Sequence, residues 1–226
     1  MNTLTKLALG LIGQLQPRAP DAPGENRVAL PPPGRRGGLP LMQALAKRSS
    51  QREFAPDALD VQQLSELLWA AAGVNRPSLG GRTAPSAMNA QEVALYVAKP
   101  EGLYRYLPDA HALDLVVVSD VRAVTGYQDF VDTAPLDLVY VAEHERQKLV
   151  PVSQREAYAC AAAGAMAQNV YLYCASVGLA TVIRAWLDRQ ALGRAMGLGN
   201  DQQVLLAQTV GRPRKAAKPR RRRAST

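Results

Sequence analysis

In "PLMQALAKRSS" the apolar residues Leu41, Met42, Leu45 and Ala46 fall at helical spacing, which predicts a short helix ending at the serine pair. "DALDVQQLSELLWAAAGV" repeats the pattern through Val61, Leu64, Leu67, Leu68 and Ala71. Asp60 is placed to cap that helix and Gly73 to stop it. The period then changes. "VALYVAKP", "LDLVVVSD" and "PLDLVYVAE" are continuous apolar, β-branched runs of the kind that fill a central sheet. "GLYRYLP" between the first two reads as a short exposed strand or hairpin arm. "REAYACAAAGAMAQNVYLYCASVG" is long, alanine-rich and apolar nearly all round. A surface helix carries a polar stripe, so this one is expected to be buried, in the core or against a second copy of the chain, up to Gly178. Gln168 and Asn169 in its middle read as core or interface amides. "LATVIRAW" follows as a strand or turn, then "DRQALGRAMGL" as a helix and "QVLLAQTVGRP" as a last strand. Helices with interspersed strands, and no regular βαβ alternation, predict an α+β protein.

Composition sharpens the boundaries. Residues 1–38 comprise a short apolar start and a Pro/Gly-rich lead-in, 39–215 the compact domain, and 216–226 a basic disordered tail. The N-terminal run is broken by Gly10 and Gly13 and precedes no clear cleavage site. It reads as a helix or ragged arm, too short to span a membrane, with export by a cleaved segment left open. A cytoplasmic location is expected. The net charge of +8 suggests nucleic acid at first sight, but residues 212–226 hold eight cations and no acid, so the rest of the chain is balanced. Together with only 5% aromatics, this argues against specific nucleic-acid binding. Cys160 and Cys174 belong to no C-x-x-C pair and read as buried thiols; His111 and His144 form no metal-ligand spacing. There is no G-x-G-x-x-G, no G-x-x-x-x-G-K-[ST] and no G-x-S-x-G. A reactive group, if there is one, is expected from a cofactor held in another way.

Three segments supply that alternative. "KRSSQREF" places Arg48, Ser50 and Arg52 at every second position, either a solvated stripe or a clamp for an anion. "RTAPSAMNAQ" is a loop of small residues ending in Asn89 and Gln91. "GAMAQNVYLYCASVGLATVIRAW" and "QTVGRP" close the set. In this order and at these separations, from about Leu39 to Pro213, they resemble the nitroreductase family of FMN enzymes. "LSELLWAAAGVNR", "RTAPSAMNAQEVALYV" and "GLYRY" bring the likeness nearest to the azoline-dehydrogenase branch.

The resemblance implies a nitroreductase-like fold: a central, mainly antiparallel sheet flanked by helices, in an intertwined homodimer with two FMN sites at the interface. By match, Arg48 meets the FMN phosphate, Ser50 bonds near the phosphate or ribityl chain with Ser49 beside it, and Arg52 reaches the N1/C2=O edge of the ring. A phosphate near −2 favours arginine contacts, and a cation beside N1 stabilises reduced flavin. Pro85, Ser86, Ala87 and Asn89 match the cofactor loop. Related loops often continue Q-P-W, whereas here Gln91-Glu92-Val93 stands. Backbone N–H groups of Arg184 and Ala185 are the expected neighbours of N5, with Arg184 standing where glycine is common. Arg212, Arg214 and Lys215 are candidates for the phosphate, Arg214 first. Tyr127, in "VTGYQDF", is a candidate lid aromatic or a packed loop residue.

The implied function is FMN-dependent transfer of hydride from NAD(P)H through flavin N5 to a nitroaromatic, quinone or similar small acceptor, in two half-reactions. No catalytic side chain and no metal are called for, because the flavin carries the chemistry. The alternatives are oxidation of an azoline-like ring, which calls for a Lys-Tyr base pair that has no obvious place here, and a non-catalytic flavin- or nucleic-acid-associated protein.

Overall fold

The computed structural model describes residues 26–214. The expectations for the N-terminal run, for Lys215 and for the basic tail lie outside the described residues. Nine strands and four helices follow one another: β1 (Arg27–Ala29), α1 (Leu41–Lys47), α2 (Val61–Ala72), β2 (Val74–Arg76), β3 (Gly81–Arg82), β4 (Val93–Lys99), β5 (Gly102–Leu107), β6 (Ala112–Val117), β7 (Leu136–Glu143), α3 (Val152–Val177), β8 (Ala180–Arg184), α4 (Arg189–Met196) and β9 (Gln202–Gly211). Seven strands make one sheet in the order β1-β6-β5-β4-β7-β9-β8, all neighbours antiparallel, and β2 and β3 pair separately. The expected α+β class and antiparallel sheet are therefore present.

Alternation along the central strands builds two cores. Val93, Leu95 and Val97 of β4, with Leu136, Leu138 and Tyr140 of β7, pack under α2 and α3. Ala94, Tyr96 and Ala98, with Val139 and Val141, face Leu192 and Met196 of α4. Successive strand residues point to opposite faces, and apolar cover on both sides is why these runs are continuously hydrophobic. Asp60 caps α2 as expected, its Oδ1 accepting from Gln63 N–H at 2.8 Å. Gly178 ends α3 at φ 77°, in the left-handed region. Gly73 works differently: it is extended at φ −68°, and a Cβ there would meet the Trp69 ring at 2.2 Å. Close approach, not handedness, calls for glycine at that helix end.

Several expectations change. "GLYRYLP" is no exposed arm; β5 lies inside the sheet, with Leu103, Tyr106 and Leu107 at most 2% exposed. β6, read as central, lies one strand from the edge and leaves Val116, and Val118 just beyond its end, exposed. The lead-in contributes β1, so the folded body begins ahead of Leu39. Arg27 pairs with Asp114 at 3.0 Å, and Leu30 N–H donates to His111 O at 3.1 Å. His111 pins the next turn: its Nδ1 meets Tyr106 Oη at 2.9 Å, while Nε2 meets Ser65 Oγ at 2.7 Å and Pro31 O at 3.1 Å. Burial lowers the His111 pKa, and the neutral ring donates from Nε2 and accepts at Nδ1.

The long helix α3 is not buried all round. Ala159, Ala163, Met166, Ala167, Val170 and Cys174 pack inward. Ala157, Ala161, Gly164 and Gln168 face out, and Ala165 and Leu172 are half-buried. Cys160 is exposed rather than buried, and Gln168 is no core amide. Both sit on the side of α3 that the sheet does not cover.

Candidate cofactor site

The end of α1 delivers the arginine motif to the free edge of β8. Gln51 N–H donates to Thr181 O at 3.0 Å. Phe54 then forms a bridge with Pro213, as Ala55 N–H donates to Arg212 O at 2.9 Å and Arg214 N–H to Glu53 O at 3.0 Å. Residues more than 150 positions apart in the chain are thereby brought to one corner. Tyr171 of α3 organises it. Its hydroxyl accepts from Ile183 N–H at 3.0 Å and lies 2.8 Å from Ser50 Oγ, while the Arg48 guanidinium sits 5.3 Å above its ring. Tyr171 was not singled out from sequence, because nothing in an apolar helix marks one tyrosine among several.

Arg48 is half-buried, and Ser49, Ser50, Arg52 and Arg214 are exposed. Among the described residues, none of Arg48, Arg52 and Arg214 is in a salt bridge. Arg212 is committed elsewhere, to Gln63 Oε1 at 2.9 Å and Asp60 Oδ2 at 3.6 Å. Three guanidinium-bearing residues sharing a corner without a carboxylate partner suit an anion of more than one charge.

The second expected segment has a different character. Met88, Asn89 and Gln91 all adopt φ between 52° and 54°. Left-handed backbone costs an ordinary side chain roughly 1–2 kcal/mol, so three such residues in four must be held from outside. Ser86 Oγ donates to Glu92 Oε2 at 2.6 Å and accepts from Gln91 N–H at 2.7 Å. Gln91 Nε2 donates to Gly80 O at 2.6 Å and to Asn89 Oδ1 at 3.1 Å. The Ser86 hydroxyl therefore closes the loop, its proton committed to Glu92. Pro85 and Ala87 remain exposed, and Asn89 is half-buried. Glu92, fully buried, anchors the loop and was not singled out; its signal is a carboxylate at the head of an apolar strand.

This loop and the arginine corner lie on different sides of α3. The loop packs on Ala162 and Met166 of α3, and Thr83 O just before it accepts from Asn169 Nδ2 at 3.3 Å. Tyr171 lies about 180° around the helix from Ala162 at roughly 100° per residue. The outward side with Ala161, Gly164 and Gln168 falls between the two.

The backbone of Arg184 and Ala185 lies at the end of β8. Thr181 and Ile183 turn their backbone groups to Gln51 and Tyr171 at the free edge, so Arg184, by alternation, faces its β9 partner Ala207. The Arg184 side chain is 5% exposed and pairs with Asp137. Desolvation by burial lowers its pKa, opposed by the Asp137 charge. Burial likewise pushes the Asp137 carboxyl up to about 6. Tyr127 is 58% exposed and packs on Trp186, with centroids 5.5 Å apart. A separate cavity of about 520 Å³ lies between the lead-in, Trp69 and His111. Its one guanidinium, Arg35, stacks on Trp69, and the Asp109 carboxylate shares the lining, so its charge is wrong for a phosphate.

An antiparallel sheet between two helical layers, with an arginine corner on its β8 edge and a strained loop beside its longest helix, defines the class of α+β protein. Comparison with known proteins gives that class its family. The model of the nitroreductase family matches residues 45–212, and the chain belongs to this family. A Methanocaldococcus jannaschii protein bearing the nitroreductase name is 34% identical over 163 residues, 67% of this chain and 82% of its own. A crystal structure of a Ralstonia eutropha protein of the same name superposes with a TM-score of 0.81 at 52% identity, covering 89% of this chain and 96% of that one. The NADPH:FMN oxidoreductase of Vibrio harveyi, solved with NAD+, shares the fold at 19% identity and a TM-score of 0.58, over 80% of this chain and 72% of its own.

Proposed function

We propose that the protein is an FMN-dependent oxidoreductase that takes electrons from NAD(P)H and passes them to a small acceptor such as a nitroaromatic or a quinone. The observation that carries this reading is the convergence of Arg48, Arg52 and Arg214, none in a salt bridge, at the edge of β8. The residues fit the group. Arg48 and Ser50 take the phosphate end, with Arg214 beside them, and Arg52 takes the N1/C2=O edge of the ring. The Arg184 backbone faces β9, so the backbone N–H of Ala185, just past the end of β8, is left to border N5, and the Pro85–Asn89 loop contributes Ala87, Asn89 and its exposed main chain. Bound there, FMN supplies a reversible two-electron carrier that accepts hydride from the nicotinamide and returns electrons to the acceptor. The chain's own work is to bind, orient and tune: two arginines balance the phosphate, and a cation at the ring edge favours the reduced, anionic form.

The same reading makes the protein a homodimer. The outward side of α3 is small and weakly polar, and it lies between the two halves of the site. A second copy docked there sets its Pro85–Asn89 loop against this copy's arginine corner, so each cofactor is shared. Among the described residues no helix is long and apolar enough to cross a membrane. The test is an absorption spectrum of the purified protein with FMN added. Flavin bands that co-elute with a dimer and bleach on adding NAD(P)H are expected. A protein that stays colourless refutes the reading.

A further inference from the structure

Residues 121–134, within the segment joining β6 and β7, are held by two arginines: Arg122 Nη1 donates to Ala134 O, and Arg184 reaches the segment from beneath. The Arg184 guanidinium donates to Thr125 O at 2.7 Å, Thr125 Oγ1 at 3.3 Å, Asp137 Oδ1 at 2.5 Å and Thr209 Oγ1 at 2.8 Å. Its Cζ lies 5.8 Å from the Phe130 ring, which packs in turn on Phe54 of the arginine motif at 5.3 Å. Gly126 passes so close that a Cβ there would stand 2.0 Å from Arg184 Nη1. Thr125 is thus hydrogen-bonded to one buried cation, Phe130 stacks near it and Gly126 passes directly against it. No other residue type reaches all of them: the planar fork supplies several donors in fixed directions.

The effect shows at the surface. Between Gly126 and Phe130, Tyr127 leans on Trp186 with rings tilted by 55°. Tyr127 is 58% exposed and Trp186 75% exposed, in a chain only 5% aromatic. Two large rings left open to water beside each other, Trp186 directly after Ala185, form an exposed apolar step.

We propose that Tyr127 and Trp186 form a wall that selects planar-ring acceptors at the Arg184–Ala185 backbone, and that Arg184 is the positioning residue that holds the wall. The inference rests on the flavin reading for what happens next to the wall, but the wall itself is tested by binding. Aromatic faces attract a flat ring in offset or tilted contact and give a compact non-planar ion much less. The Arg184 side chain acts inward, on Asp137 and Thr125.

The experiment uses the full chain, purified with added FMN, and 1,4-naphthoquinone-2-sulfonate as the planar probe. Calorimetric titration of the oxidised protein, without nicotinamide, reads its affinity. Trp186→Ala raises the Kd about tenfold and Tyr127→Ala about threefold. With NADPH present, the loss in kcat/KM is at least tenfold larger for the quinone than for ferricyanide. Gly126→Ala and the paired change Arg184→Met with Asp137→Leu leave no lone buried charge. Both reproduce the loss of quinone affinity, with cooperative unfolding, retained flavin and a diminished near-ultraviolet dichroism from the Tyr127–Trp186 contact. A quinone Kd within twofold of the parent in Trp186→Ala overturns the wall, including where oligomeric state changes instead. An unchanged Kd in both Gly126→Ala and the paired variant overturns the positioning role. A colourless parent protein refutes the flavin reading alone, since the titration still reports on the wall.

Discussion

Replacing Tyr171 by Phe removes one oxygen and tests how the edge of β8 is sealed. That oxygen accepts from Ile183 N–H at 3.0 Å and sits 2.8 Å from Ser50 Oγ. Phenylalanine keeps the ring, its packing and the stacked Arg48, so no cavity term enters. Ile183 N–H, on the outer side of an edge strand and covered by the ring, loses its acceptor. An unsatisfied buried donor costs roughly 1–3 kcal/mol. A middle value of about 2 kcal/mol, at roughly 2–4 °C per kcal/mol for a body of this size, lowers the melting midpoint by about 4–8 °C. The freed Ser50 weakens FMN by about fivefold, as expected for roughly 1 kcal/mol. Circular-dichroism melts with and without FMN, compared with Ser50→Ala, separate the effects. Ser50→Ala keeps the Ile183 bond and lowers the midpoint by less than about 2 °C. A Tyr171→Phe midpoint within a degree of the parent refutes the account of the β8 edge.

Arg48→Ala is expected to weaken FMN at least tenfold, whereas Arg52→Ala lowers the flavin reduction potential more than it weakens binding; titration and a dye-coupled potential measurement decide. Asp60→Ala removes the α2 cap and costs about 1 kcal/mol, read as a shift in the urea midpoint. The Asp137 pKa is pushed up to about 6 by burial, against an ordinary 3.8, despite facing Arg184 and Arg122. Between those values the folded state binds a proton that the unfolded state has released. Its stabilising contribution is therefore full below 3.8, falls as pH rises through 6 and is flat beyond. Urea midpoints measured from pH 4 to 7 should show that fall in the parent and lack it in Asp137→Asn.

Much of this was legible in the chain. α2 was marked at its start by Asp60 and a regular apolar stripe, α3 at its end by Gly178, and β4 and β7 by continuous β-branched runs; these signals are local. β1 was not legible, because three residues in a proline-rich stretch become a strand only through tertiary bonds from Arg27 and Leu30. β5 looked exposed because Tyr104 and Arg105 are polar-tipped, yet both long side chains lie along the sheet. In the site, the alternation of Arg48, Ser50 and Arg52 left a solvated stripe and an anion clamp both open, and the family resemblance favoured the clamp. That Arg214 would join them depends on the pairing of residues 53–55 with 212–214, which no spacing reveals. Arg184 and Asp137 each stood in an apolar strand run as a lone charge of opposite sign, the signal by which a buried pair can be found. Tyr171 carried no such mark.

The placement of the two half-sites on opposite sides of α3 has a genetic consequence. If each cofactor draws on two chains, a chain defective at Arg48 and one defective in the Pro85–Asn89 loop are each inactive alone. Mixed together, they assemble one pocket carrying both defects and one carrying neither. Two dead alleles would then restore up to half of the activity per heterodimer, whereas two alleles damaged in the same half-site would restore none.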